Sequence, residues 1–344
     1  MSETEATAHL FAPVIFGLAG ARLSADERDF FRVSNPLGFI LFARNCQRPE
    51  QVRTLTGELR DCLGRDAPIL IDQEGGRVTR LGPPHWRQPP PAAVFGKVFQ
   101  RDPRLAIELA RDNARLIADE LHDAGIDVNC APVLDVPAAD GHAIIGDRAF
   151  CSDPRTVAQL GLAVAQGLLA GGVLPVIKHI PGHGRARADS HLELPVVSAR
   201  HSDLSANDFV PFRALADQPI AMTAHVIYSD LDPHRPATTS LTVIAKVIRG
   251  EMQFDGVLLS DDIGMQALSG GLAGRARSAL RAGCDLVLHC SGELAEMRTV
   301  ASGLPAATAP AQARVQAALG FRKAPEPFDR KQVMMRLEQL SLAG

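Results

Sequence analysis

Val173-Leu174-Pro175-Val176-Ile177 runs without a break into Lys178-His179-Ile180-Pro181-Gly182-His183-Gly184, and after four more residues comes Asp189-Ser190-His191. A short apolar run of this kind predicts a strand buried on both faces, the habit of parallel sheets. The charged cluster then emerges at the C-terminal end of that strand. Pro181, Gly182 and Gly184 bar a regular helix, so a shaped loop follows. One lysine, three histidines and an aspartate are gathered on that loop.

The same arrangement recurs in both directions. Strand-like runs occupy 12–20, 38–42, 67–71, 126–133, 173–177, 219–223, 256–259 and 285–290. Segments of helical character separate them. Ser24 with Glu27 makes a capping box, and that helix should end near Asn35-Pro36. Pro49 opens a segment with Val52, Leu55, Leu59 and Cys62 on one face. Residues 104–122 have helical spacing. Asp153-Pro154 caps a helix that carries Val157, Leu160, Val164 and Leu168. Further helices are expected over 205–215, over 241–252 behind Ser240, and over 272–282. Residues 82–97 read as a proline-rich loop. Residues 306–328, rich in Ala and Pro, lead to a last helix at about 329–341. Eight strand–helix units predict an α/β fold, a (β/α)8 TIM barrel closed in parallel. A doubly wound open sheet is the alternative, but eight units with polar strand ends favour the barrel. Residues 1–344 then form a single domain, with a C-terminal helical segment of about 306–344 packed outside.

Charge and composition narrow the class. Lys plus Arg total 36 against 39 for Asp plus Glu, a formal charge of −3, so nothing draws the chain globally to nucleic acid or to an anionic membrane. No basic segment followed by a long apolar run opens the chain, and no stretch would span a bilayer. The six cysteines show no CxxC pairing and read as reduced thiols, which points to the cytoplasm. Oligomeric state leaves no mark in the sequence, and a monomer is the default expectation. One Trp and one Tyr argue mildly against a sugar ligand, which aromatic faces often stack on, although polar clamps could replace stacking.

In such a barrel the site lies at the C-terminal ends of the strands. Asp72, Asp135, Lys178, His179, His225 and Asp261 follow separate strands and are expected in one basin. Asp189 and His191 read either as a polar loop or as a dyad in which the carboxylate orients an imidazole for proton transfer. Of the adjacent Asp261 and Asp262, at most one should face the basin, and Asp261 is nearer the strand. Asp261 is either a helix cap or a nucleophile or metal ligand. Asp72, Arg80, Lys178 and His179 are hydroxyl- and amide-binding types. Arg148 either clamps a ligand bidentately or pairs with Asp147 or another loop acid. His179, His183 and His191 with Asp189 or Asp261 offer metal-ligand chemistry, yet His179 and His183 flank Pro-Gly and do not share a helix face. Gly75-Gly76 and Gly270-Gly271 match neither a P-loop nor a dinucleotide fingerprint. No cofactor and no metal are therefore expected.

The block Lys178-His179-Ile180-Pro181-Gly182-His183-Gly184 with Asp189-Ser190-His191 closely resembles a signature of glycoside hydrolase family 3, in its branch of bacterial β-N-acetylhexosaminidases. Asp72-Gln73-Glu74-Gly75-Gly76-Arg77-Val78 with Arg80, Gly146-Asp147-Arg148, Ala224-His225-Val226, Ser260-Asp261-Asp262 and Ala282-Gly283-Cys284-Asp285 resemble further blocks of that branch, in its order. The resemblance implies a single-domain retaining glycosidase with Asp261 as nucleophile and His191, held by Asp189, as acid/base. It implies that Asp72, Arg80, Arg148, Lys178 and His179 bind a non-reducing N-acetylglucosamine. The implied substrate is a small N-acetylglucosaminyl-1,6-anhydromuropeptide, released in cell-wall recycling that bears on cell shape and division. Ile180 stands for a commoner Phe, Asp147 for Glu and Ser291 for Asn. Aglycone preference and transfer to phosphate stay open, as do a metal-dependent hydrolase on the same barrel and a non-catalytic sugar-binding protein.

Overall fold

The computed structural model describes residues 11–138, 145–186 and 193–343. Eight strands run parallel in a closed ring: β1 (Ala12–Gly17), β2 (Pro36–Leu41), β3 (Ile69–Ile71), β4 (Val128–Asn129), β5 (Leu174–Ile180), β6 (Ile220–Thr223), β7 (Val257–Asp262) and β8 (Leu286–His289). Each pairs with its successor in the chain, and β8 closes on β1. The expected (β/α)8 barrel is therefore the fold.

Alternation along each strand sorts the side chains into two cores. Ile15, Ile40, Leu70, Val128, Val176, Met222, Leu259 and Leu288 share the cluster that fills the barrel. Their neighbours Phe16, Phe39, Ile71, Ile177, Ala221, Leu258 and Val287 belong to the larger cluster under the helices. Because both faces are buried, the strands show no polar alternation in the sequence and read as unbroken apolar runs.

The helix starts follow their local chemistry. Ser24 and Glu27 form the reciprocal capping box, with Glu27 N donating to Ser24 Oγ at 3.2 Å and Ser24 N to Glu27 Oε2 at 3.0 Å. Asp153 Oδ2 accepts from Thr156 N at 2.7 Å, at the head of the helix Pro154–Ala170. The helix Pro49–Leu63 stops at Gly64, whose φ of 63° lies in the left-handed region.

Several expectations are corrected. The helix over 205–215 is broken into His201–Ala206 and Val210–Ala214, because Pro211 has no N–H with which to continue it. Residues 82–97 are not all loop, since Ala92–Phe99 is helical behind Pro91. The fourth strand is short, and beyond Asn129 the ladder continues as single bonds, such as Val176 N to Ala131 O at 3.0 Å, and a bridge from Val133 to Lys178, Pro132 lacking a donor. The helix at 241–252 is wound wider, over Val243–Glu251, with Met252 N bonded to Val247 O. Residues 306–328 hold a helix of their own, Ala309–Leu319, capped by Thr308. Its Val315 and Ala318 join Leu37, Val257 and Leu286 at the start of the strands, so it plugs the N-terminal end of the barrel. The last helix, Arg330–Ala343, lies against Pro103–Asp123.

Asp285 ties this plug to the wall. Its Oδ2 accepts from Arg249 Nη2 at 2.8 Å and Leu258 N at 2.9 Å, and its Oδ1 from Arg314 Nη1 at 3.1 Å. Asp285→Ala takes a carboxylate from both Arg249 and Arg314, although Arg314 keeps Asp255 at 3.0 Å and Arg249 keeps the carbonyls of Phe254 and Gly256. We expect a loss of about 2 kcal/mol in urea unfolding, with turnover per folded molecule retained.

Candidate active site

The inward face of the barrel turns from apolar to charged over one step of the pleat. Leu70 is followed two residues on by Asp72, Val176 by Lys178, and Leu259 by Asp261. All three polar groups therefore enter the mouth from strands that are apolar below. They line a cavity of ≈ 330 Å³ together with Glu74, Arg80, Arg148 and His179. Phe42, Met222, Met265 and Leu288 give it an apolar side. That volume is at the small end for ligand pockets and suits a single sugar unit.

Ion pairs of alternating sign line one wall. Arg80 Nη2 lies 3.5 Å from Asp72 Oδ2, and Asp72 Oδ1 2.8 Å from Lys178 Nζ. Lys178 Nζ lies 2.6 Å from Glu74 Oε1, which also accepts from Arg148 Nη2 at 2.7 Å. Arg148 Nε completes a fork to Glu74 Oε2 at 2.8 Å. Burial alone would raise both carboxyls, but the facing cations outweigh it. Lys178 and Arg148 hold Glu74 at about 2, and Lys178 and Arg80 hold Asp72 below its ordinary value. Burial likewise opposes the charge on Lys178, which Asp72 and Glu74 nonetheless raise above the usual lysine range.

Asp135 and His225, expected in the basin, lie beneath it. Asp135 Oδ1 accepts from His183 N at 2.7 Å and His179 N at 3.2 Å, while Oδ2 is 2.7 Å from His179 Nδ1. Against its burial, these imidazoles and amides hold Asp135 at about 2. Only Nε2 of His179 is left to meet a ligand. His225 sits between Thr238 Oγ1, at 2.7 Å from Nδ1, and the carbonyl of Asp262, at 3.0 Å from Nε2. Burial lowers its basicity, against the opposing pull of Asp261 and Asp262. Both residues are fully enclosed because their polar atoms are spent on backbone and side-chain partners.

Asp261 and Asp262 both border the cavity, contrary to the expectation that one turns aside. The ladder between β7 and β8 shifts register there, which allows consecutive residues to reach the mouth. Their employment differs. Asp262 Oδ1 accepts from Gly264 N at 2.9 Å and Cys290 N at 3.2 Å. Asp261 Oδ1 accepts only from Asp262 N, at 2.8 Å, among the described residues. Burial works against ionisation of Asp261, but His225, His179, that amide and Lys178 hold its pKa below the ordinary value. An ionised, buried carboxylate with an uncommitted oxygen can attack carbon or stabilise positive charge.

Six of the eight residues to which the family resemblance gives a role thus line one cavity: Asp72, Arg80, Arg148, Lys178, His179 and Asp261. Asp189 and His191 lie outside the described residues. Arg148 does pair with an acid, but with Glu74, while Asp147 takes Arg77 at 3.2 Å. Glu74 itself was missed, although it stands two residues after Asp72 and so continues the inward face. Among the described residues, no group of three His, Cys, Asp or Glu is placed to hold a metal ion. No described helix is long and apolar enough to cross a membrane.

Comparison with known proteins places this geometry. The family description "Glycosyl hydrolase family 3 N terminal domain" matches residues 16–319. The chain is 45% identical to a β-hexosaminidase of Alkalilimnicola ehrlichii, over 82% of this chain and 81% of that one. It is 40% identical to a β-hexosaminidase of Bordetella avium, over 81% and 80%. Among solved structures it resembles NagZ from Neisseria gonorrhoeae in complex with N-trifluoroacetyl-D-glucosamine, at TM-score 0.87 and 33% identity, over 96% of this chain and 98% of that one. It also resembles a family 3 β-N-acetylglucosaminidase from Paenibacillus sp. str. FPU-7, at TM-score 0.87 and 30% identity, over 96% of this chain but 66% of that one.

The buried site makes stability depend on pH. Burial lowers His183 from 6.5 to about 4, so the unfolded chain takes up this proton first as pH falls. Its contribution is whole above pH 6.5 and is lost as pH falls toward about 4. In His183→Gln, the urea-unfolding free energy should fall less steeply over that window than in wild type. An unchanged slope would mean that His183 does not titrate as described.

Proposed function

The chain belongs to glycosyl hydrolase family 3 and is a glycoside hydrolase with β-hexosaminidases among its relatives, and on that premise we propose that it is a retaining exo-β-N-acetylglucosaminidase acting on peptidoglycan fragments. Membership of a hydrolase family sets aside the non-catalytic sugar-binding reading. The observation that carries the proposal is Asp261: a carboxylate kept ionised in a one-sugar cavity, opposite a wall of hydroxyl- and amide-binding groups. The N-acylated glucosamine bound by the Neisseria relative supports the choice of sugar.

In the proposed mechanism the N-acetylglucosamine enters with its ring hydroxyls toward Asp72, Arg80, Arg148, Lys178 and His179. Asp261 attacks the anomeric carbon as the bond to the leaving oxygen breaks, giving a covalent glycosyl–enzyme. His191, oriented by Asp189, protonates that oxygen and then takes the proton of the incoming water. In retaining enzymes the two groups usually stand about 5 Å apart. The leaving group is proposed to be 1,6-anhydro-N-acetylmuramic acid, with or without peptide. Six free cysteines suit the reducing cytoplasm, where recycling of such fragments would run.

A slow fluorinated N-acetylglucosaminide should leave one sugar on the peptide that contains Asp261, read by mass spectrometry. No adduct would favour attack by the substrate's own acetamido oxygen. His191→Ala should cost about 10²–10⁴-fold on a disaccharide, far less on a chromogenic aryl N-acetyl-β-glucosaminide. The matching aryl β-glucoside should be a poor substrate, and a chelator should change nothing. Equal slowing of both substrate kinds would remove His191 as the acid, and loss of activity on chelation would favour the metal-dependent alternative.

A further inference from the structure

Glu74 is the charged member of the ion-pair chain to which neither the sequence reading nor the mechanism gives a task. Its backbone is fixed by a tight turn, with Glu74 N bonded to Val78 O at 3.0 Å. The turn needs Gly75, whose φ is 106° and whose Cβ would stand 2.3 Å from the carbonyl oxygen of Pro90. The side chain is buried, yet it borders the cavity. Its Oε1 meets Lys178 Nζ and Arg148 Nη2, and its Oε2 meets Arg148 Nε.

We propose that Glu74 is a positioning residue for this glycosidase: its carboxylate sets the Lys178 ammonium and the Arg148 guanidinium at a fixed spacing, so that the sugar meets donors already aimed at it. Lys178 comes from β5, Arg148 from the segment after β4, and Glu74 from the loop after β3. One carboxylate therefore joins three strand ends. Without it, nothing would hold Arg148 and Lys178 to one another, because Asp72 engages Lys178 and Arg80 but not Arg148. A direct proton-transfer role does not fit, because a carboxyl held at about 2 carries no proton at neutral pH. Direct sugar binding is not required either, since both oxygens already serve the two cations. Positioning donors before the substrate arrives avoids the ordering cost at binding.

This inference rests on the reading of the site as an N-acetylglucosaminidase, and the test separates the two. Kinetics on an aryl N-acetyl-β-glucosaminide would be measured for the full-length wild type, Glu74→Gln, Arg148→Ala and the double variant, with the thermal midpoint of each. An inactive wild type would overturn the glycosidase reading itself. With an active wild type, Glu74→Gln should raise KM at least about 10-fold while kcat changes less. Arg148→Ala should cost less in the Glu74→Gln background than in wild type, since holding Arg148 is part of what Glu74 does. A wild-type KM, or costs that simply multiply, would overturn the positioning role. A lowered thermal midpoint with KM untouched would make Glu74 structural only and overturn it equally. Should Glu74→Gln not fold, Glu74→Asp replaces it. That variant keeps the charge but is one methylene too short to serve both cations, and a wild-type KM there overturns the proposal.

Discussion

A fully buried ammonium at the mouth of the barrel is the constraint from which the site follows. Lys178 continues an inward face whose lower positions are Leu174 and Val176, and only 2% of its surface is exposed. A cation there is tolerable only with carboxylates within hydrogen-bond reach. Asp72 and Glu74, both beyond the end of β3, supply them. Each carboxylate in turn engages a second cation, Arg80 or Arg148. The wall that would bind a sugar is therefore also the wall that keeps a lysine charged.

The rest of the mouth repeats the device on a smaller scale. Asp135 is enclosed and tied to two backbone amides, and it fixes the tautomer of His179 from below. His225 is enclosed, and it holds the backbone of Asp262. Asp262 then spends its carboxylate on Gly264 and Cys290 and leaves Asp261 as the less committed acid. Two adjacent aspartates are thus separated in role by their hydrogen bonds. Low dielectric around these groups strengthens each pairing and makes any unpaired member costly, so the constellation is rigid before a substrate arrives.

The barrel was legible because its strands are buried on both faces, which leaves continuous apolar runs such as 173–177 with charge at their ends. Caps such as Ser24 with Glu27 and Asp153 with Pro154 were legible because they are local. The break before Pro211 was not legible, because the helical spacing of 205–215 outweighs one missing donor. A helical C-terminal segment was legible, but not that Ala309–Leu319 forms a separate helix within it.

By itself the sequence determined the order of eight strands, the charged residues at their ends and the motif that marks the family. The strands and their polar ends follow from unbroken apolar runs and from local capping. Only the closed barrel decided who pairs with whom. Arg148 and Glu74 are 74 residues apart, and Lys178 and Asp72 are 106 residues apart. Their distances are set by how strands 3 to 5 sit side by side, which no local pattern encodes. Asp135 and His225 look like Asp72 and Lys178 in the sequence, each a polar residue after a strand. Tertiary packing alone buried the first two beneath the floor and left the others to face the cavity.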